Sequence, residues 1–155
     1  MPVLVVVDMQ PVFHAANNRS TIAAVIREIR GEKSRSEPII VLEYEGSNPN
    51  LYDTHESIRR SVERYPLGII KVKPNDDGSQ QVEEGCYELG LQPEAFRLCG
   101  VNTSYCVKAT AIGLAEQNPN ANVEIIAKAC GCTDGKDYYW LPNIQKRYKN
   151  FSFVE

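Results

Sequence analysis

The run Val3-Leu4-Val5-Val6-Val7, closed by Asp8, decides how the rest of the chain is read. An unbroken β-branched, aliphatic stretch has no wet face to alternate with a dry one. It therefore describes a strand buried on both sides. A strand covered on both faces belongs in a parallel sheet whose crossovers are helices. Outward from this run the rhythm repeats. Asn17 to about Lys33 places Ile22, Val25, Ile26 and Ile29 at helical spacing. Ile39 to Leu42 is a second strand after Pro38, and Thr54 to Tyr65 a polar helix with Thr54 as its cap. Leu67 to Val72 is a third strand, stopped at Lys73 by Pro74. Gln80 to Leu89 reads as a helix with Gly90 at its end, Ala95 to Cys99 as strand four, and Tyr105 to Glu116 as a helix. Val123 to Ala127 is strand five, Asp137 to Lys149 a last helix, and Phe151 to Val154 a candidate sixth strand.

This order predicts an α/β, doubly wound parallel sheet, strand order 3-2-1-4-5, with helices on both faces. In such sheets ligands sit beyond the carboxyl ends of the strands, where the winding reverses. That point lies between strands one and four. Asp8 ends the first, and Gly100-Val101-Asn102-Thr103-Ser104-Tyr105-Cys106 follows the other, so the two segments should face each other.

The chain has 155 residues, which suits one domain over 1–155; no internal repeat or long linker divides it. Seventeen Lys and Arg stand against 20 Asp and Glu, a net charge of -3. That excludes a surface built to neutralise many phosphates, so no nucleic-acid partner is expected. No apolar stretch approaches a membrane span, so no membrane partner is expected either. The start lacks a basic segment and Asp8 interrupts any apolar one, so no secretion signal is expected. Five cysteines, an odd number, then point to reduced thiols and a cytoplasmic location.

Three residues carry chemistry in this layout, each with a plainer reading beside it. Asp8 is either a turn cap or a site carboxylate. Cys106 is either small core packing or a nucleophile, its helix N-terminus favouring thiolate. Lys73 is either a solvated strand end or a cation that holds Asp8 ionised. His14 and His55 lack a second histidine at metal spacing, and Asp53-Thr54-His55 is only a fragment of a site, so no metal and no cofactor is expected. Cys130-Gly131-Cys132 does not match Cys-x-x-Cys and reads as a turn, with a thiol redox pair as the alternative. Asp76-Asp77-Gly78-Ser79 reads first as a turn and second as a pocket wall.

Together, Val5-Val6-Val7-Asp8-Met9-Gln10 with Phe13, then Val72-Lys73-Pro74, then Cys99 to Val107 with Ala109-Thr110-Ala111, resemble the three signatures of the isochorismatase-like cysteine hydrolases. The resemblance spans residues 3 to about 132. It implies an Asp-Lys-Cys triad at Asp8, Lys73 and Cys106, a cis peptide at Val101-Asn102, and association into a homo-oligomer. It also implies hydrolysis of a C–N bond in a small amide or carbamoyl compound through a thioester on Cys106. The oxyanion would then meet the backbone N–H groups of Asn102 and Cys106. Phe13 and Tyr105 are expected as pocket walls, and Glu43, Tyr44 and Asn48 as substrate-selecting residues. The nicotinamidase-like members carry histidines for a metal after strand two, whereas here Glu43 to Asn50 holds none. The rival to an enzyme is a catalytically silent binding protein on the same fold.

Overall fold

The computed structural model describes residues 1–46, 52–135 and 138–155. Among them, β1 (Pro2–Val7), β2 (Ile39–Tyr44), β3 (Gly68–Lys73), β4 (Ala95–Val101), β5 (Asn122–Gly131) and β6 (Phe151–Val154) form one sheet. Its order is β3-β2-β1-β4-β5-β6 and every pairing is parallel. The sixth strand extends the expected order at its β5 edge. The helices are α1 (Arg19–Ser34), α2 (Glu56–Glu63), α3 (Ser79–Glu88), α4 (Lys108–Gln117) and α5 (Leu141–Arg147).

The alternation of side chains along β1 builds the two layers. Val3, Val5 and Val7 point to one face, where they pack with Val82 and Cys86 of α3, Ala111 and Leu114 of α4, and Leu141 of α5. Leu4 and Val6 point to the other, with Val25 and Ile29 of α1 and Ile58 and Val62 of α2. All five are fully buried, as a strand between two helical layers requires.

Local chemistry sets the helix ends, in places differently from the sequence expectation. Helix α1 is capped by Asn18, whose Oδ1 accepts from the backbone N–H of Ser20 (3.0 Å) and Thr21 (3.2 Å). Asn18→Ala should lower stability by about 1 kcal/mol, read as a lower urea midpoint with an unchanged slope. Thr54 is not the cap of α2. It gives both its N–H and its hydroxyl to Glu43 Oε2, each at 2.7 Å, and the helix starts two residues later. The last helix is shorter than its polar pattern suggests, with Pro142 in its first turn.

Two close approaches position the carboxyl rim. Gly100 has φ 112°, and a Cβ there would stand 2.1 Å from the Val7 carbonyl oxygen, so only glycine lets β4 lie against β1 at this level. A Cβ on Gly78 would meet Lys73 Cδ at 2.7 Å, so the bare glycine leaves room for the lysine stem.

Candidate active site

Three elements deliver three polar side chains to one place. Asp8 follows β1 directly, its N–H bonded to Leu42 O at 3.1 Å. Its φ of 50° turns the chain out of the strand at once. Lys73 is the last residue of β3 and is 0% exposed. Its Nζ lies 3.2 Å from Asp8 Oδ2. It also donates to Asn75 O (2.9 Å) and Asp76 O (3.4 Å), and sits 4.5 Å from the centre of the Tyr44 ring. The ammonium is thus taken out of water but surrounded by oxygens and an aromatic face, which is what makes its burial tolerable.

Cys106 is 8% exposed and lies in a π-helical turn, Thr103–Val107, that opens α4. The Asn102 carbonyl anchors that turn by accepting from Tyr105 N (3.1 Å) and Val107 N (3.2 Å). The Val101–Asn102 peptide bond is cis. The Asn102 side chain does not cap the turn; its Oδ1 accepts from Thr133 N (3.0 Å) and Thr133 Oγ1 (3.2 Å), tying the turn to the end of β5.

Burial governs the electrostatics. The Asp8 carboxyl is raised to about 6, chiefly because burial penalises its charged form, with Lys73 pulling the other way. Its Oδ1 is buried and makes no hydrogen bond among the described residues. The Cys106 thiol is also pushed up, first by burial and then by the negative charge of Asp8. This corrects the expectation of a resting thiolate, since desolvation outweighs the partial charge of a helix terminus. The arrangement is therefore a thiol facing an ionisable acid that has one oxygen held by Lys73 and the other open. Such a pair can pass a proton at the moment the sulfur attacks.

The remaining sequence-expected residues distribute unevenly. Tyr44 stands over Lys73, and Phe13 meets the Tyr44 ring edge-on at 6.1 Å, so both lie beside the cluster. Tyr105 is 53% exposed, and its hydroxyl donates to Asp134 Oδ2 at 2.9 Å, which places it on the β5 side of the rim. Glu43, expected as a substrate-selecting residue, is buried and its Oε2 accepts from Thr54, which holds the β2–α2 connection; with Tyr44 and Tyr52 it also lines a cavity there. Asn48 lies outside the described residues. The two thiols of Cys130 and Cys132 turn to different neighbours: Cys130 Sγ faces Leu98 O at 3.9 Å, and Cys132 Sγ faces Ser104 Oγ and Asp134 Oδ1, each at 3.0 Å.

Two residues had a weak sequence signal. Gln10 is fully buried and clamps the end of β2, its Oε1 accepting from Tyr44 N (2.8 Å) and its Nε2 donating to Tyr44 O (3.1 Å) and to Tyr52 O. Only its place two residues after Asp8 hinted at this. Asp76 brings its Oδ1 to 3.8 Å from Cys106 Sγ, inside a segment whose composition says turn before it says site. Thr110 of α4 locks that segment by accepting from Gly78 N (2.9 Å) and donating to Asp76 O (3.4 Å).

The candidate ligands described after β2 are already engaged. Glu43 is taken by Thr54, His55 Nε2 bonds to Ala16 O (2.8 Å), and Asp53 pairs with Arg59 (3.1 Å). Among the described residues no group of three His, Cys, Asp or Glu side chains is placed to hold an ion. Nor, among them, is any helix long and apolar enough to cross a membrane.

In sequence the chain matches no protein-family model and no curated protein. In structure it is similar to the nicotinamidase of Staphylococcus aureus, with a TM-score of 0.82 and 16% identity over 99% of this chain and 97% of that one. It is similar to N-carbamoylsarcosine amidase from Thermoplasma acidophilum at a TM-score of 0.77 and 16% identity, over 99% and 95% of the two chains. An isochorismatase family protein from Burkholderia thailandensis superposes at a TM-score of 0.74 and 15% identity, covering 98% and 90%. The strand order, the all-parallel sheet and these end-to-end superpositions make this an α/β protein of the isochorismatase-like fold.

Proposed function

We propose that this protein is a cysteine hydrolase that cleaves the C–N bond of a small amide or carbamoyl compound, with Asp8, Lys73 and Cys106 as its catalytic residues. The observation that carries the reading is the buried Asp8–Lys73 pair, 3.2 Å apart, set against a protonated Cys106 thiol. A nicotinamidase and an N-carbamoylsarcosine amidase among the structural neighbours support the reaction class, since both names describe C–N hydrolysis.

The steps follow from the charges. Asp8, ionised above about pH 6, takes the Cys106 proton as the sulfur attacks the carbonyl carbon. The oxyanion is met by the backbone N–H groups of Asn102 and Cys106 at the π-helical turn; one such donor typically contributes about 3 kcal/mol. Asp8 then gives its proton to the departing nitrogen. The C–N bond breaks, ammonia or an amine leaves, and a thioester remains on Cys106. Water attacks that thioester with Asp8 again as base. The C–S bond breaks, the acid is released, and the proton returns to the thiol. Lys73 keeps the carboxylate charged in a site that would otherwise neutralise it, and Tyr44 and Phe13 bound the space beside it.

Quenching turnover of small amides and ureido compounds within milliseconds to seconds and mapping peptides by mass should reveal an acyl adduct on Cys106. Turnover without that adduct, in a protein whose Cys106 survives unmodified, would refute the thioester route. The pH profile gives a second expected outcome. Because the carboxylate is the active form of Asp8, kcat/KM should rise with pH through about 6 and level off above it. An acid limb near pH 4 would mean that the base is an ordinary exposed carboxylate instead.

A further inference from the structure

We propose that Asp76 is a specificity-determining residue that selects substrates carrying a cationic nitrogen close to the scissile carbonyl. This rests on the hydrolase reading above and narrows its substrate class. Asp76 is exposed, yet its Oδ1 reaches to 3.8 Å from Cys106 Sγ. It thus stands on the open side of the nucleophile, while Asp8 and Lys73 stand on the closed side. A carbonyl carbon poised for attack sits about 3–3.5 Å from the sulfur. A nitrogen one or two bonds further on then falls within hydrogen-bond distance of Asp76.

The chain holds Asp76 in place through its backbone; Oδ1 accepts from Cys106 Sγ in the resting site, and the exposed carboxylate turns to a ligand when the sulfur attacks. The Asp76 carbonyl accepts from Lys73 Nζ (3.4 Å) and Thr110 Oγ1 (3.4 Å), so the segment is fastened on two sides. The neighbouring Asp77 has a different task, its Oδ1 accepting from Ser79 N (2.8 Å) at the start of α3.

Charge around the rim argues for a cation over a neutral donor. The Lys73 ammonium is matched by Asp8 at 3.2 Å and does not offset Asp76. Glu45, exposed, joins the same rim, its N–H bonded to Lys73 O at 2.8 Å. Asp134 lies across the site beside Tyr105. Lys108 Nζ is drawn over the rings of Tyr139 and Trp140, at 6.0 and 5.8 Å from their centres. An ammonium beside the scissile carbonyl is stabilised here, whereas a substrate carboxylate would meet Asp76 with like charge.

The test uses probes of fixed charge. Cys106 is labelled with 2-(trimethylammonio)ethyl and 2-sulfonatoethyl methanethiosulfonate, and its adduct is followed by peptide mass mapping. In each reaction the thiolate sulfur forms a disulfide with the reagent and methanesulfinate leaves. The cation-to-anion rate ratio, divided by that of 2-mercaptoethanol, cancels any change in the reactivity of the thiol itself. The wild type should exceed the small thiol by about tenfold, Asp76→Asn should return the ratio to near one, and Asp76→Lys should invert it. In turnover, glycinamide should be preferred to propanamide and succinamate disfavoured, with the first preference falling about tenfold in Asp76→Asn. Ratios that Asp76→Asn leaves unmoved overturn the proposal, and if an acyl adduct still forms on Cys106 the hydrolase reading stands. Hydrolysis of no amide, with no adduct, refutes the hydrolase reading, and the substrate proposal with it.

Discussion

Replacing Cys106 by alanine, or Asp8 by asparagine, is expected to lower amide turnover by about a thousandfold or more, with the double variant no worse than the poorer single one. The first change removes the atom that forms the thioester. The second keeps the shape of the side chain but removes the buried, Lys73-paired base, leaving near the sulfur only the exposed Asp76 carboxylate. Since burial, the largest cause that holds the Cys106 thiol protonated, persists in Asp8→Asn, no thiolate reservoir substitutes for the base. The two losses do not add because sulfur and carboxylate act in one proton transfer. Ammonia release in a coupled assay reads the rates, and near-ultraviolet circular dichroism checks that the fold is kept. Retention of a tenth of the wild-type rate by either single variant would end the assignment.

Lys73→Met should be the most costly change to stability in the cluster, and its cost should depend on pH. The methionine keeps the stem that passes over Gly78 but removes the ammonium 3.2 Å from Asp8. Stranding one member of a buried ion pair typically costs about 3–5 kcal/mol. The sign with pH follows from Asp8. Its carboxyl is raised from 3.8 to about 6 in the folded chain, so the native state holds this proton more tightly than the unfolded one. The stability that goes with the proton is present at low pH and is lost as pH rises through about 6. Without Lys73, the largest influence that lowers this value is gone and only the Cys106 contact still opposes burial, so the value moves higher still. Urea unfolding should therefore show a small penalty for Lys73→Met at pH 5 and a large one at pH 8. The acid limb of any residual activity should shift to higher pH. Equal penalties at the two pH values would show that the pair is not what sets the stability of this cluster.

Much of the architecture was written in local pattern. Val3 to Val7 can only be covered on both sides, and the alternation of apolar runs with amphipathic stretches then admits few windings. The same logic placed Asp8 and Cys106 opposite each other, because each ends a strand or follows one at the carboxyl rim, and strand ends are set by residues close in sequence; Lys73 was joined to them only by the resemblance. The boundaries that slipped were those decided from a distance. Thr54 resembles a cap until Glu43, on another strand, takes both of its donors. Strand β5 runs on to Gly131 because β4 supplies partners as far as Val101.

The sequence by itself determined the sheet, its winding and the two chain segments that face each other at the switch point, since periodicity and strand ends are local properties. Tertiary structure alone decided what those segments do to one another. It buried Lys73 against Asp8, raised the Cys106 thiol where a helix terminus by itself would have lowered it, and set Asp76 before the sulfur. The physical reason is that solvation and charge are summed over everything packed around a group, and most of what surrounds these groups comes from chain segments far away in sequence.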